Sequence, residues 1–238
     1  MEGSLQFGDR LLAALAALPA SAPAVLFIRH AERYDIDFSA NPDEVMLTPA
    51  GEEAARAFGA RLPLASRLRV YHSPMPRCRV TAERIAEGFA AAGGQVTFEG
   101  VLAGLCRVYL TDLPGVRAVI RQYQADGRDV IRGWFDGRLD SAMIDPCPVA
   151  AEKLLRVAET AAADAGADSL TVLVTHDWEL LALRETLLGA RHEDVGWVDF
   201  LDGVAMARDG EGWVIRWREF SGRTCRMVKN PHIVLPAE

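Results

Sequence analysis

The chain has 238 residues, of which 50% are hydrophobic and 25% are charged, a composition typical of one globular domain with a sizeable core. Its formal net charge of -7 argues against a broad surface for nucleic acid or anionic membrane, since both need an excess of Lys and Arg. A site for an anionic ligand is therefore expected to be local, and neither nucleic acid nor membrane is an expected partner.

The N-terminal segment predicts an amphipathic helix over residues 6–18. Its apolar run ends in small residues, as a signal peptide does, but Glu2 and Asp9 stand against a single basic residue, Arg10. A signal peptide needs a positive start, and no run approaches the roughly 20 apolar residues that span a bilayer. We therefore expect a cytoplasmic protein rather than a secreted one.

Three continuous apolar runs, 24–29, 68–72 and 170–175, predict buried parallel strands. Helical patterns follow them at 49–61, 77–92 and 178–188. Thr48 precedes Pro49 as a predicted N-cap, and Glu52 is expected to complete a capping box. This alternation predicts an α/β fold, a three-layer sandwich with a mostly parallel central sheet flanked by helices.

The alternation breaks down between residues 100 and 148, where Gly and Pro interrupt the pattern and no clean strand is visible. This segment is expected to form an irregular or helical insertion over the site. A helix is predicted at 149–165, and a hairpin with a connection of three to five residues is predicted from strands at 204–207 and 213–217. We expect residues 1–238 to form a single domain with 100–148 as a cap-like insertion.

The remaining reactive side chains do not form a recognisable site. The four cysteines are far apart, without a CxxC pair or a His at metal-ligand spacing, so neither a zinc site nor a redox motif is predicted. We expect free thiols, with Cys78 packed as a small hydrophobic residue. Three isolated histidines are expected to serve in the core or on the surface: His72, His192 and His232.

Chemistry-bearing residues follow the carboxyl ends of the three predicted strands. They form the runs Arg29-His30-Ala31-Glu32-Arg33, His72-Ser73-Pro74 with Arg77 just beyond, and Thr175-His176-Asp177. Because ligands collect at the carboxyl ends of parallel strands, three guanidiniums, two imidazoles and a carboxylate are expected on one rim. Guanidinium forks match phosphate oxygens, and a neutral imidazole can act as a nucleophile or a base. The sequence therefore predicts a phosphate site.

The motifs RHAER, SPMPRCRVTA and VTHDWEL, with LTPAGE between the first two, resemble the histidine phosphatase superfamily, the phosphoglycerate-mutase-like fold. The resemblance covers most of residues 24–188, and the His-Asp pair is similar to that of the acid-phosphatase branch. Ala31 stands where that family usually has Gly, which adds a methyl group close to the expected phosphate. Glu32 lies inside the motif and is expected to point to solvent, since Glu is seldom buried without a partner.

The resemblance implies a metal-independent phosphomonoesterase that acts on a small phosphorylated metabolite through a phosphohistidine intermediate. His30 would be the nucleophile, which splits a difficult hydrolysis into two steps. Arg29, Arg33 and Arg77 would hold the nonbridging oxygens, with His176 as a further donor. The resemblance implies no metal and no cofactor.

Two carboxylates are candidates for the general acid that protonates the leaving group. Asp177 is favoured because it follows His176 directly, and Glu99, after a short β-like run, is the alternative. A phosphomutase would differ only in returning the phosphoryl group to an organic hydroxyl. A noncatalytic phosphate-binding or interaction module is the alternative from another class, and neither the substrate nor the oligomeric state can be inferred from the residues.

Overall fold

A seven-stranded sheet lies at the centre of the protein. The computed structural model describes residues 6–19, 22–36, 41–63, 67–166, 168–210 and 212–224. The strands are β1 (Ala24–Arg29), β2 (Arg67–His72), β3 (Gln95–Val101), β4 (Ser169–Thr175), β5 (Gly203–Asp209), β6 (Gly212–Trp217) and β7 (Phe220–Thr224). Their order across the sheet is β3-β2-β4-β1-β5-β6-β7.

The sheet has a parallel part and an antiparallel part. The strands β3, β2, β4 and β1 pair in parallel, whereas β5, β6 and β7 continue the sheet in antiparallel pairs. The predicted α/β fold with a parallel central sheet is confirmed. The predicted hairpin is also present, but its strands extend until Asp209 pairs with Gly212, so its connection is shorter than expected.

Helices cover both faces of this sheet. They are α1 (Asp9–Ala16), α2 (Pro49–Ala60), α3 (Pro76–Ala91), α4 (Leu113–Ala125), α5 (Val130–Phe135), α6 (Cys147–Ala161), α7 (Asp177–Leu188) and α8 (His192–Val195). Leu26 and Ile28 of β1 pack with α1, α2 and α3, while Val25 and Phe27 pack on the opposite face with α6 and α7. No helix within the described ranges combines the length and the apolar character that crossing a membrane requires.

The chain between the sheet and α6 is largely helical. A 3₁₀ turn at Ala103–Leu105 is followed by α4 and α5, and an isolated bridge joins Leu110 to Ile144. The helix predicted at 149–165 starts earlier, at Cys147, and ends at Ala161. Pro148 fits within its first turn because a helix leaves the first backbone N–H groups unbonded anyway.

The start of α2 fixes the loop after β1. Thr48 caps the helix as predicted, since its hydroxyl oxygen accepts a hydrogen bond from Gly51 N at 2.9 Å. Glu52 does not complete a capping box, because the third helical residue is Gly51 and the Glu52 carboxylate binds Arg84 at 3.0 Å. The Thr48 hydroxyl instead donates to the carboxylate of Glu32 at 2.8 Å. Glu32 is therefore half-buried, and the prediction that it points to solvent is wrong. The loop after β1 packs closely on α2: a Cβ atom on Gly51 would lie 2.1 Å from the carbonyl oxygen of Glu32.

Candidate active site

The three predicted motifs meet at one edge of the sheet. Strand β4 lies between β2 and β1, and the hydrogen bonding continues past the strand ends through His30 N to Thr175 O (3.0 Å) and Ser73 N to Val174 O (3.0 Å). The next residue after Thr175 is His176, so both imidazoles leave neighbouring parallel strands at the same level. Their ring centroids are 5.6 Å apart.

His30 has the chemical form that a nucleophile needs. Its side chain is 3% exposed, and Nδ1 lies 2.8 Å from the carbonyl oxygen of Ala31, which places the ring proton on Nδ1. Burial, followed by the charge of His176, lowers the pKa of His30 well below its usual value. The imidazole is therefore neutral near pH 7, with a lone pair on Nε2.

Ala31 tolerates its methyl group because the residue packs into the core. It is fully buried among the apolar side chains between the sheet and α1 to α3. Its N–H donates to the hydroxyl of Thr81 at 3.0 Å. The departure from the family's Gly thus leaves the backbone next to His30 anchored on α3.

His176 is held by two polar neighbours. Nε2 lies 2.9 Å from the hydroxyl oxygen of Ser73, and Nδ1 lies 3.4 Å from Nη2 of Arg77. Because a guanidinium only donates, Nδ1 accepts, and the proton on Nε2 points to Ser73. Burial, with the charge of Arg77, lowers the pKa of His176 to about 3, so this ring is also neutral. For His176 to donate to a phosphate, as predicted, Nε2 would have to leave Ser73.

Arg29 is buried and has several partners. Nη1 donates to the carbonyl oxygen of Val198 at 2.6 Å, and Nη2 lies 3.0 Å from Oδ2 of Asp177. The guanidinium carbon is 4.4 Å from the ring centroid of Phe200. Its Nε is buried and has no hydrogen-bond partner among the described residues. Val198, Asp177 and Phe200 therefore hold the guanidinium of Arg29 in place.

Arg77 and Arg33 contribute to the same positive field. Arg77 Nη1 donates to the carbonyl oxygen of Pro42 at 3.1 Å, and its buried Nε has no partner within the described ranges. Arg33 is half-buried and donates to the carbonyl oxygen of Tyr34 at 2.8 Å. Burial, followed by the charges of Arg29 and Arg77, lowers the pKa of Arg33. Three guanidiniums in one field favour a multiply charged anion.

The two candidate acids have different surroundings. The side chain of Asp177 is 25% exposed at the start of α7, and its carboxylate contacts Arg29. Glu99 lies on the edge strand β3, where its carboxylate accepts a hydrogen bond from Arg69 at 2.9 Å. Arg69 in turn donates to the hydroxyl of Tyr71 and to the end of α6. The structure therefore brings Asp177, but not Glu99, into contact with the cluster around His30.

Several neighbours of this cluster were not predicted from the sequence. The ring of Phe200 lies 5.8 Å from that of His30, and the indole Nε1 of Trp197 donates to Oδ2 of Asp177 at 3.1 Å. Pro42 supplies the carbonyl oxygen for Arg77. Trp197 and Phe200 lie in the irregular stretch after α8, and Pro42 begins a 3₁₀ turn at Pro42–Glu44; neither segment has apolar periodicity. The two aromatic residues in the short stretch after α8 are a sequence signal that could have identified this loop.

A buried carboxyl group lies behind the cluster. Glu179, in the first turn of α7, is 1% exposed and accepts hydrogen bonds from Arg107 N at 2.8 Å and from the hydroxyl of Tyr109 at 3.2 Å. Burial raises the pKa of Glu179 to about 7. The bond to Arg107 stabilises a backbone with φ of 58°, which a non-glycine residue rarely adopts.

The buried Cys78 and His72 have structural surroundings. The Cys78 thiol donates to the carbonyl oxygen of Thr175 at 3.5 Å, and burial raises its pKa, which keeps the thiol protonated and unreactive. His72 binds the carbonyl oxygen of Ser73 and stacks near Phe98. Both residues pack in the core as expected, whereas His232 lies outside the described residues.

Two other features lie outside this cluster. Asp129, His192 and Glu193 bring potential ligand atoms within 4.8 Å of one another, but both carboxylate oxygens of Glu193 accept hydrogen bonds from Arg132. His192 is likewise paired with Asp129 at 2.6 Å. A cavity of about 400 Å³ beside Tyr123 is lined by arginines that carboxylates already neutralise. Neither feature includes a residue of the predicted phosphate site.

Comparisons with known proteins agree with the fold. A model of the histidine phosphatase superfamily (branch 1) matches residues 25–216. A mycobacterial glucosyl-3-phosphoglycerate phosphatase is similar in structure, with 20% identity, a TM-score of 0.54, and coverage of 83% of this chain and 98% of that one. Phosphoglycerate mutase from Bacillus anthracis has 13% identity, a TM-score of 0.55, and coverage of 83% and 94%. No curated protein sequence matches the chain. At these identities the structures show a shared fold.

Proposed function

The chain belongs to the histidine phosphatase superfamily (branch 1), and from this membership we propose that it is a metal-independent phosphomonoesterase acting through a phosphohistidine. The observation that carries the proposal is His30, a buried neutral imidazole whose Nδ1 proton is bound to a carbonyl oxygen. Its substrate is a small phosphorylated metabolite. Proteins of similar fold include phosphatases and a mutase, so a phosphoryl-transfer reaction fits the family.

In the first step, Nε2 of His30 attacks the phosphorus atom in line. The P–N bond forms as the P–O bond to the leaving group breaks. The guanidiniums of Arg29, Arg33 and Arg77 stabilise the nonbridging oxygens. The proton on Nδ1 stays on the ring, and its hydrogen bond to the carbonyl oxygen of Ala31 stabilises the positive charge that develops there.

The leaving oxygen takes its proton from Asp177. This assignment is supported by the position of Asp177 beside the cluster around His30, whereas Glu99 is paired with Arg69 on the edge strand. Asp177 takes up a proton from solvent once Arg29 has turned from the carboxylate to the phosphoryl group. In the second step, water attacks the phosphohistidine, the P–N bond breaks, and Asp177 takes up the proton that the water releases. The products are the alcohol and inorganic phosphate, and the enzyme returns to its starting state.

The experiment is a trapping measurement with ³²P-labelled phosphomonoesters. The protein is mixed with a panel of sugar, glycerate and aryl phosphates, quenched without acid, and mapped by peptide. We expect label on His30, followed by release of inorganic phosphate. Transfer of label to an added organic hydroxyl, in place of release to water, would indicate a mutase. Protein that stays unlabelled and releases no phosphate across the whole panel would refute the enzymatic proposal in favour of a binding module.

The same panel tests the general acid. Asp177→Asn and Glu99→Gln each remove one ionisable carboxyl group with little change in shape. A general acid contributes about 10²- to 10⁴-fold, so we expect Asp177→Asn to lower the rate within that range. Glu99→Gln should stay within about twofold of the wild type, and the reverse result would move the role to Glu99.

A further inference from the structure

The carboxylate of Asp177 is held by three donors. Oδ1 accepts a hydrogen bond from Trp178 N at 3.1 Å. Oδ2 lies 3.0 Å from Nη2 of Arg29 and also accepts a bond from Nε1 of Trp197 at 3.1 Å. The side chain is therefore held on one side by its own helix and on the other by a cation and a neutral indole.

Two anions compete for Arg29. Nη1 is bound to the carbonyl oxygen of Val198, so Nη2 is the end of the guanidinium that faces Asp177. The phosphoryl group carries more charge than one carboxylate and attracts the same guanidinium. When Arg29 turns toward the phosphoryl group, Asp177 loses its charged partner. The bond from Trp197 persists, because an indole N–H has no net charge for the phosphate to attract.

The indole of Trp197 is fixed although it is 39% exposed. Its ring meets the edge of His192, with centroids 5.7 Å apart and an interplanar angle of 83°. His192 is bound in turn to Asp129, the N-cap of α5. The next residue, Val198, is buried and binds Arg29 through its carbonyl oxygen. Trp197 thus presents its N–H from a loop that is anchored on both sides.

We propose that Trp197 is a positioning residue that keeps the Asp177 carboxyl group aimed at the leaving oxygen while Arg29 engages the phosphoryl group. The inference rests on the proposed function and adds a residue to it that neither the motifs nor the comparisons assign. Trp197 touches neither the phosphorus atom nor His30 and acts through Asp177 alone. Its loss should therefore slow only reactions whose leaving group needs a proton.

The test compares two aryl esters that differ by one nitro group, 4-nitrophenyl phosphate and phenyl phosphate. Nitrophenolate is a weak base and leaves without a proton. Phenolate is a stronger base, so its departure depends on protonation by the general acid. Trp197→Phe keeps an aromatic ring beside His192 and removes the N–H together with part of the indole. Since the general acid as a whole is worth about 10²- to 10⁴-fold, we expect the loss of one orienting bond to lower kcat for phenyl phosphate about tenfold. For 4-nitrophenyl phosphate we expect kcat within about twofold of the wild type, and KM should change little for either ester.

Trp213→Phe is the matched control. It makes the same change on β6, where the buried indole Nε1 has no partner among the described residues. The ratio of kcat for phenyl phosphate to kcat for 4-nitrophenyl phosphate should therefore equal that of the wild type. An equal loss for both esters in Trp197→Phe would show a merely structural role and overturn the inference.

Asp177→Asn separates this failure from failure of the proposed function. If Asp177→Asn slows phenyl phosphate selectively and Trp197→Phe does not, only the inference about Trp197 fails. If Asp177→Asn slows both esters equally, Asp177 is not the general acid, and the inference falls with that assignment. If the wild-type protein hydrolyses neither these esters nor any other in the panel, the enzymatic proposal fails and the inference with it.

Discussion

The hydroxyl oxygen of Ser73 lies 2.9 Å from Nε2 of His176, and this contact joins the ends of the neighbouring strands β2 and β4. Arg77 approaches the other ring nitrogen at 3.4 Å. The two neighbours together select one tautomer and one ring orientation, because Arg77 only donates and Ser73 can accept. A neutral His176 with a fixed ring can stand 5.6 Å from His30 without adding a second positive charge beside the nucleophile.

Ser73→Ala tests this contact. The variant removes the acceptor for the Nε2 proton, so His176 can rotate or change tautomer, and a misplaced donor lowers the stabilisation of the transition state. We expect kcat/KM for phosphomonoesters to fall about tenfold, which corresponds to an activation free energy higher by about 1.4 kcal/mol. Ser141→Ala, at an exposed position in the chain before α6, is the control and should behave as the wild type. Wild-type activity in Ser73→Ala would show that His176 does not need this partner.

Arg77→Met tests the electrostatic core of the proposed site. The substitution removes a buried cation and a donor while keeping an unbranched side chain on α3. Loss of one preorganised donor to a developing anion costs about 10²- to 10³-fold, and we expect a fall of that size in kcat/KM. Inhibition by orthophosphate should weaken in parallel. The control is Arg79→Met on the same helix, where the guanidinium is half-exposed and paired with Glu83. Equal phosphate inhibition in both variants would contradict a role for Arg77 in binding the anion.

The elements that carry the motifs could be predicted because their signals are local. The continuous apolar runs of β1 and β4 are covered on both faces, whereas the side chains of β2 are fully buried only at alternate positions. Parallel strands place the residues that follow all three on one edge of the sheet. Arg29, His30 and His176 therefore meet as the pattern predicts. The N-cap at Thr48 followed from the same local chemistry, since a hydroxyl before Pro at the first helical position is a strong start signal.

The remaining parts of the site depend on long-range packing, which leaves no local signal. Trp197 reaches Asp177 across 20 positions, and Pro42 binds Arg77 across 35. The Thr48 hydroxyl binds the carboxylate of Glu32, which is 16 positions away in the sequence. Without that partner in view, a Glu in a loop is expected to be exposed to solvent. These residues carry no periodicity of their own, and only the assembled sheet brings them to the rim.

Glu179→Gln tests the buried carboxyl group through the pH dependence of stability. Folding raises the pKa of Glu179 from 4.5 to about 7, chiefly by burial. The folded state therefore holds this proton more tightly than the unfolded state, and the resulting stabilisation is full below about pH 4.5 and is lost as the pH rises through about 7. Gln has no ionisable proton, so the variant does not lose this stability as the pH rises. We expect the free energy of unfolding of the variant, relative to wild type, to rise between pH 4 and pH 8 by an amount on the order of 3 kcal/mol.

The measurement is urea unfolding at both pH values for the wild type, Glu179→Gln and the control Glu152→Gln. His30 and His176 titrate in the opposite sense, because their lowered pKa values make the folded state lose stability as the pH falls below about 6.5. Taking the difference between variant and wild type removes their contribution. A difference that stays constant from pH 4 to pH 8 would show that Glu179 ionises as freely in the folded protein as in the unfolded chain.

Arg184 is the single basic residue of α7, and its replacement is expected to stabilise the protein. It is 0% exposed, and Nε donates to the carbonyl oxygen of Ala190 at 3.1 Å, but Nη1 and Nη2 have no partner among the described residues. The guanidinium stacks on Trp217 at 4.5 Å. Burial, with the nearby charge of Arg218, lowers its pKa to about 10. The folded state therefore carries a cation that the surroundings only partly compensate.

Arg184→Met keeps the length and the contact with Trp217 and removes the charge. The relief of desolvation should exceed the single lost hydrogen bond, since apolar replacements of buried charges are often neutral or stabilising by about 1–4 kcal/mol and one bond is worth about 1. We expect the free energy of unfolding to rise by about 1 kcal/mol. Arg208→Met is the matched control, because Arg208 stacks on Trp213 at 4.6 Å but is partly exposed and 3.9 Å from Glu159. If Arg184→Met destabilises the fold instead, the guanidinium has a compensating partner in solution, and its charge is part of what holds the loop after α7 against the sheet.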